Sequence, residues 1–236
     1  MDISIILPAF NEAHRLLPSL EKLGRFCRDT FQEFEVVVVD DGSTDGTWDL
    51  IQGYRGCPLR GVRLPQNRGK GAAVKAGMIE ARGDFRFFTD SDLPYDLSAF
   101  TSAMHLFQDE GCDLVAGARD MAGSTDAAGT SRARKAASKV FSALTGALFG
   151  FDIRDSQCGF KGFTAKAAEA LFGACMTPGY AFDVEILARA RNLGLKICRI
   201  PVTLLVNQDS SIRLPRDGIV MLWEILKIRM RVSSEQ

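Results

Sequence analysis

Glu35-Val36-Val37-Val38-Val39-Asp40-Asp41-Gly42-Ser43-Thr44-Asp45 sets an unbroken run of four β-branched residues directly against an acidic turn. Such a run has no polar face, so it predicts a parallel strand covered on both sides, over residues 35–40. The following D-G-S-T-D is a good turn and helix N-cap sequence, and a short helix is expected after Asp45. Outward from this stretch the same grammar repeats. A strand is expected over 3–7 and a helix over 16–28, then a strand over 61–64, a helix over 71–81, and strands over 84–89 and 113–118. Strands alternating with helices predict an α/β, Rossmann-like and parallel-rich mixed sheet flanked by helices.

Beyond Ala118 the pattern loosens. Residues 119–130 are rich in Gly, Ala, Ser and Asp and read as a loop. A helix over 131–149, a strand over 160–164, a helix over 182–193, a strand over 196–205 and a last helix over 218–231 are expected next. The chain has 236 residues, 46% hydrophobic and 25% charged, which suits one domain with one sizeable core. With 29 Lys and Arg against 29 Asp and Glu, the formal charge is zero. Nothing global points to a nucleic-acid partner, so any electrostatic argument is local. Met1-Asp2-Ile3-Ser4 enters a strand with no basic leader, and no run approaches the roughly 18 apolar residues of a membrane span, so a cytoplasmic location is expected. The six cysteines are scattered without a C-x-x-C pair and read as free, mostly buried thiols in a reducing compartment.

Three clusters fall just past expected strand ends: Asp40-Asp41-Gly42-Ser43-Thr44-Asp45, Asn67-Arg68-Gly69-Lys70-Gly71 and Asp90-Ser91-Asp92. In open α/β sheets that edge is where ligands bind. Asp90 and Asp92 offer hard carboxylate oxygens, the ligand type for Mg²⁺ or Mn²⁺ shared with a diphosphate. Gly69-Lys70-Gly71 offers close backbone approach, a cation and a helix N-terminus, which together favour an anion. The spacing is not that of a P-loop, which disfavours an ordinary NTPase.

Pro8-Ala9-Phe10-Asn11-Glu12, the D-D-G-S-T-D cluster, N-R-G-K-G-A-A-V and D-S-D, in this order, resemble glycosyltransferase family 2. In the second half, Arg154-Asp155-Ser156-Gln157-Cys158-Gly159-Phe160-Lys161 and Gly179-Tyr180-Ala181-Phe182-Asp183-Val184-Glu185 are similar to its polyprenyl-phosphate branch. The resemblance implies a GT-A fold and an inverting, metal-dependent transfer of a hexose from a nucleoside-diphosphate sugar. It implies that Pro8, Phe10, Glu12, Asp40, Asp41, Lys70, Asp90 and Arg213 hold the donor and that Asp90 and Asp92 hold Mg²⁺ or Mn²⁺. Asp92 joins Arg119, Arg134 and Ser138 as catalytic residues, the last three gripping an acceptor phosphate. Residues 1–118 then form a nucleotide-sugar half, 119–206 an acceptor half and 207–236 a C-terminal amphipathic helix. A solvated basic face is the competing reading for the cluster around Arg134.

Gly159 stands where some relatives carry an acidic residue. A phosphate acceptor is already anionic and needs no base, so the gap favours a polyprenyl phosphate over an alcohol. Asp155 and Asp183 stay open as bases, or as strand-end and helix-cap residues. The Q-C-G-F-K resemblance favours UDP-glucose, with GDP-mannose open. The last helix, with Ile219, Val220, Leu222, Trp223, Leu226 and Met230 beside basic residues, lies peripherally on a cytoplasmic membrane face or packs on the core. Two rival readings are a soluble family 2 enzyme acting on a saccharide or small alcohol, and a non-catalytic nucleotide-sugar module.

Overall fold

The computed structural model describes residues 2–127, 129, 142, 145–146, 148–149, 155–205 and 214–233, with backbone alone over 214–222. Arg134, Ser138 and Arg213 lie outside the described residues, as does most of the helix expected over 131–149.

The first half follows the expected alternation: β1 (Ile3–Ala9), α1 (Leu16–Thr30), β2 (Phe34–Asp40), α2 (Thr47–Gly53), β3 (Leu59–Arg63), α3 (Lys70–Glu80) and β4 (Phe85–Thr89). Next come α4 (Ser98–Glu110), β5 (Leu114–Ala118) and a short β6 (Thr125–Asp126). Then follow β7 (Phe160–Thr164), α5 (Ala165–Ala174), α6 (Phe182–Asn192), β8 (Ile197–Pro201), β9 (Thr203–Leu204) and α7 (Leu214–Ser233). Seven strands form one sheet in the order β3-β2-β1-β4-β7-β5-β8. All neighbours are parallel except β7, which runs antiparallel between β4 and β5. Thus β7, from the second half, sits beside β4 and brings residues 158–161 to the end of β4 where the D-x-D begins.

The valine run behaves as its composition requires. Val36 and Val38 enter the core beneath α1 and α4, whereas Val37 and Val39 enter the opposite core with α3, α5, α6 and α7. All four are fully buried, because successive side chains of a strand point to opposite faces. Helix α7 joins the second core through Ile225, Ile228 and Val232. Its other face leaves Trp223, Leu226 and Met230 exposed, so it packs on the core and still presents an apolar stripe outward.

Three features depart from expectation. Helices α4 and α5 were not anticipated. Yet α4 buries Ala99, Phe100, Ala103, Met104 and Phe107 at helical spacing, and stops at Gly111 with φ 64°, a left-handed C-cap. The single strand expected over 196–205 is two: Pro201 closes β8, and β9 leaves to pair with β6. Finally, Cys112 and Cys198, expected as free thiols, form a disulfide with Cα atoms 6.1 Å apart across a separation of 86 residues. Spacing rules cannot see this pair. It arises because β8 lies parallel beside β5, with Leu114 opposite Ile197, so that Cys112 just before β5 reaches Cys198. Cys27, Cys158 and Cys175 are buried free thiols, as expected. Burial pushes Cys27 and Cys175 up to about 12 and Cys158 up to about 11.

Candidate active site

The carboxyl ends of β1, β2 and β4 carry the acidic and aromatic residues singled out from sequence, and side chains of the turns tie these ends together. The Asn11, Glu12 and Ala13 amides donate to Ser43 Oγ (2.8 Å), Thr47 Oγ1 (2.9 Å) and Asp45 Oδ2 (3.1 Å). Thr44 N returns a bond to Asn11 Oδ1 at 3.0 Å. Asn11 sits at φ 56°, a left-handed conformation that Asn tolerates better than most residues. The chain thereby turns sharply after Ala9, leaving Phe10 exposed at the rim while Glu12 is buried. Pro8, the penultimate residue of β1, is half-buried.

Asp40 and Asp41 do different jobs. Asp40 is fully buried; its Oδ1 accepts from Ser43 N at 2.9 Å and its Oδ2 faces Arg63 Nε at 3.1 Å. The Asp41 oxygens accept from the Arg68 and Gly69 amides, both at 2.8 Å. Burial nonetheless raises the Asp41 carboxyl, those two amides working against it. The anion met by the backbone leading into α3 is therefore Asp41 itself, and Ala72 N is taken by Pro178 O at 3.1 Å.

Lys70 Nζ pairs with Asp90 Oδ1. Burial alone would lower this ammonium, but the negative charges of Asp90 and Asp183 outweigh it and hold Lys70 above its ordinary value. The D-x-D turn is tight: Leu93 N donates to Asp90 O at 3.0 Å and Leu93 adopts φ 47°. A β-branch-free but bulky residue in that region is strained, and such strain holds only where its surroundings enforce it. Burial and then the charge of Asp90 push the Asp92 carboxyl up, with Arg15 opposing them. Two hard-oxygen donors, with the charge of Asp90 raising Asp92, fit a Mg²⁺ or Mn²⁺ ion, whose charge would relieve that repulsion. Arg15 is itself part of this cluster. Its guanidinium pairs with Glu12, and that hydrogen bond, helped by the charges of Asp92 and Asp90, raises it against partial burial.

From the second half of the chain, Gly159 meets the same turn. A Cβ placed there would lie 2.3 Å from Asp90 Oδ2, so the glycine makes room for this carboxylate. Its amide donates to the hydroxyl of buried Tyr95 at 3.3 Å. Arg119 is clamped by Asp155: its backbone amide and Nε reach Oδ2, both at 2.8 Å, and its Nη2 reaches Oδ1 at 2.7 Å. Asp155 is correspondingly held below the ordinary carboxylate range, Arg119 overcoming the effect of burial. Asp183 is equally engaged, accepting from Lys161 Nζ at 2.6 Å.

Of the residues expected at the site, Lys70, Asp90 and Asp92 converge, and Glu12 joins them through Arg15. Asp41 clasps the loop before α3. Sequence reasoning passed over Arg15, Asn11 and Lys161. The first is marked by its i,i+3 spacing from Glu12 and the second by an Asn following a strand; Lys161 carries no local mark.

The fold is one of known type. Glucosyl-3-phosphoglycerate synthase from Mycobacterium tuberculosis, solved in complex with Mn²⁺, UDP and glucosyl-3-phosphoglycerate, superposes with a TM-score of 0.70 at 22% identity, covering 98% of this chain and 79% of that one. The complex of that enzyme with Mg²⁺ and UDP gives 0.71 at 21% identity, over 98% and 79% of the two chains. The fold is the GT-A fold of glycosyltransferases. A family profile described as Glycosyl transferase family 2 matches residues 4–172, and the chain belongs to that family. It is 31% identical to the dolichyl-phosphate beta-glucosyltransferase of Dictyostelium discoideum over 97% of this chain and 74% of that protein. It is 32% identical to the enzyme of that name from Homo sapiens over 97% and 75%. The protein is accordingly a hexosyltransferase.

Proposed function

We propose that this enzyme transfers glucose from UDP-glucose, with inversion, to a polyprenyl phosphate of the dolichyl type. The observation that carries the acceptor is the state of the carboxylates open to a base role: Asp155 is locked to Arg119, Asp183 is locked to Lys161, and Gly159 has no side chain. A sugar or alcohol hydroxyl would need one of them free, whereas a phosphate monoester attacks as an anion. The names of the relatives point to the same acceptor and to glucose.

In this reading residues 1–118 hold the donor, with Lys70 on the diphosphate and Phe10 and Asp40 beside the nucleoside; Arg213 joins them. Asp90 and Asp92 bind Mg²⁺ or Mn²⁺, which supplies Lewis-acid stabilisation of the departing diphosphate. Residues 119–206 take the acceptor, Arg119, Arg134 and Ser138 gripping its phosphate. A donor panel decides the matter: UDP-glucose and GDP-mannose, each offered a short polyprenyl phosphate, a soluble phosphomonoester and a saccharide. Transfer from UDP-glucose to the polyprenyl phosphate is expected to be fastest. Faster transfer to the saccharide favours a soluble family 2 enzyme instead.

No helix among the described residues is long and apolar enough to cross a membrane. The outer face of α7 offers peripheral contact with the cytoplasmic leaflet: Trp223, Leu226 and Met230 are exposed beside exposed Lys227 and Arg229. Lys227 Nζ lies 5.4 Å from the Trp223 ring centroid. Apolar side chains edged by cations suit an anionic bilayer surface. Because Ile225, Ile228 and Val232 are in the core, deleting the helix would unfold what it covers. The informative variant is Trp223→Ser with Leu226→Ser and Met230→Ser. It should keep the melting temperature and lose binding to vesicles containing anionic lipid by about tenfold or more, from three apolar side chains withdrawn. Vesicle binding equal to wild type removes α7 from the membrane surface.

A further inference from the structure

Glu185 ends the Gly179–Glu185 motif of the second half, and the proposed reaction gives it no substrate to touch. It is fully buried, in the first turn of α6. Its Oε1 accepts from Met176 N at 3.1 Å and from Arg189 Nε at 2.9 Å, and its Oε2 accepts from Thr177 N at 2.8 Å. Burying a carboxylate with its cation costs desolvation that their attraction seldom returns in full, so stability alone is a poor reason for it. The segment it grips offers a better one. Residues 175–178, between α5 and α6, form neither helix nor strand. Their shape is set from outside: Glu185 takes two of their amides, and Lys75 Nζ, from α3, donates to Cys175 O at 2.7 Å.

The other side of this segment is the ledge on which α3 begins. Ala72 N donates to Pro178 O at 3.1 Å. A Cβ at Gly71 would lie 2.5 Å from Thr177 O, and one at Gly69 would lie 2.7 Å from Pro178 O, so the two backbones meet where only glycine fits. Lys70 stands between these glycines, and the ledge therefore fixes where its side chain leaves the backbone. We propose that Glu185 is a positioning residue of the donor site, which holds residues 175–178 in the shape against which α3 starts and so places Lys70 for the donor diphosphate. It touches neither donor nor acceptor, and exchanges no proton in the transfer. This rests on the reading of Lys70 as the diphosphate ligand.

Two measurements with UDP and Mn²⁺, on the full chain without acceptor, test this. Coupling is reciprocal, so if the ledge supports the donor, bound donor supports the ledge. In the wild type, saturating UDP should slow hydrogen exchange at the Met176 and Thr177 amides by about tenfold relative to the Leu193 and Gly194 amides beyond the far end of α6. Equal slowing at both places, or none, overturns the proposal, and this experiment needs no variant, so it decides even where a variant does not fold. The second measurement is calorimetric affinity. Glu185→Gln, paired with Arg189→Met so that no buried cation faces the new amide, is expected to weaken UDP binding about tenfold. Gly71→Ala, which forces α3 off Thr177 O from the other side, should cost about as much, and the two together far less than about a hundredfold, because both break one contact. Wild-type affinity in the paired variant overturns the proposal. A combined loss of about a hundredfold does so too, since Glu185 would then act by another route. Lys70→Met binding UDP like wild type is a separate outcome, which overturns the donor reading and this inference with it.

Discussion

Asp90→Ala and Asp92→Ala are each expected to lower glycosyl transfer by about 10³-fold, equivalent to about 4 kcal/mol of lost transition-state stabilisation. In the proposed reading the loss falls on turnover, because the charge that a cation held by these carboxylates would help to neutralise grows as the diphosphate departs. The two variants should differ in a way the geometry dictates. Asp90→Ala removes a donor oxygen and also releases Lys70, its partner. Asp92→Ala leaves the Lys70–Asp90 pair intact, which stays as a competitor for any cation. Removing Asp90 also removes a charge that raises Asp92, so the Asp92 carboxyl should fall toward its ordinary value in Asp90→Ala. Initial rates with and without EDTA, followed by Mn²⁺ titration, measure the metal dependence. Full transfer by either variant in EDTA would sink the metal role.

How much of this was legible in the sequence depends on how far apart the cooperating residues lie. The buried valines of β2 and the turn after them read correctly because period and turn chemistry are local, and the D-x-D could be placed at a strand end for the same reason. The second half was harder. Nothing near Phe160 says that β7 runs antiparallel between β4 and β5, yet that insertion brings Gly159 to Asp90. Asp41 carries a nucleoside role on resemblance alone, and its tie to the amides of Arg68 and Gly69, 27 and 28 residues away, is not legible in the local sequence. The Lys161–Asp183 pair and the Cys112–Cys198 disulfide are of the same kind: each joins two segments that become neighbours only once the sheet order is set. The last helix was left between two readings because amphipathic spacing looks alike whether the apolar side chains meet core or bilayer. The structure shows one stripe in the core and a second one outside.

Gly159→Ala should remove most activity while leaving the protein folded, an outcome that ordinary cavity or strain arguments would not suggest. The added methyl would lie 2.3 Å from Asp90 Oδ2 and 3.1 Å from its Cγ, so something must move. The atoms in the way are the end of a half-buried side chain, and swinging a carboxylate aside costs little stability, about 1 kcal/mol as for an off-rotamer torsion. The function of that carboxylate depends on where it points. A displacement of about 1 Å at a reacting centre commonly costs about 10²-fold in rate, and here it would carry the proposed cation ligand Asp90 away from Asp92. Mn²⁺ affinity should therefore weaken along with turnover, whereas the melting temperature should shift by only a few degrees. In the proposed reading the absent side chain at Gly159 has two consequences from one cause: it offers no base to a hydroxyl acceptor, and it leaves Asp90 the room in which it would meet a cation. Restoring an acidic group, as Gly159→Asp, should accordingly create no new transfer to saccharides, since the same Cβ would first displace Asp90. Wild-type turnover and Mn²⁺ affinity in Gly159→Ala would show that Asp90 works from another position than the one seen here.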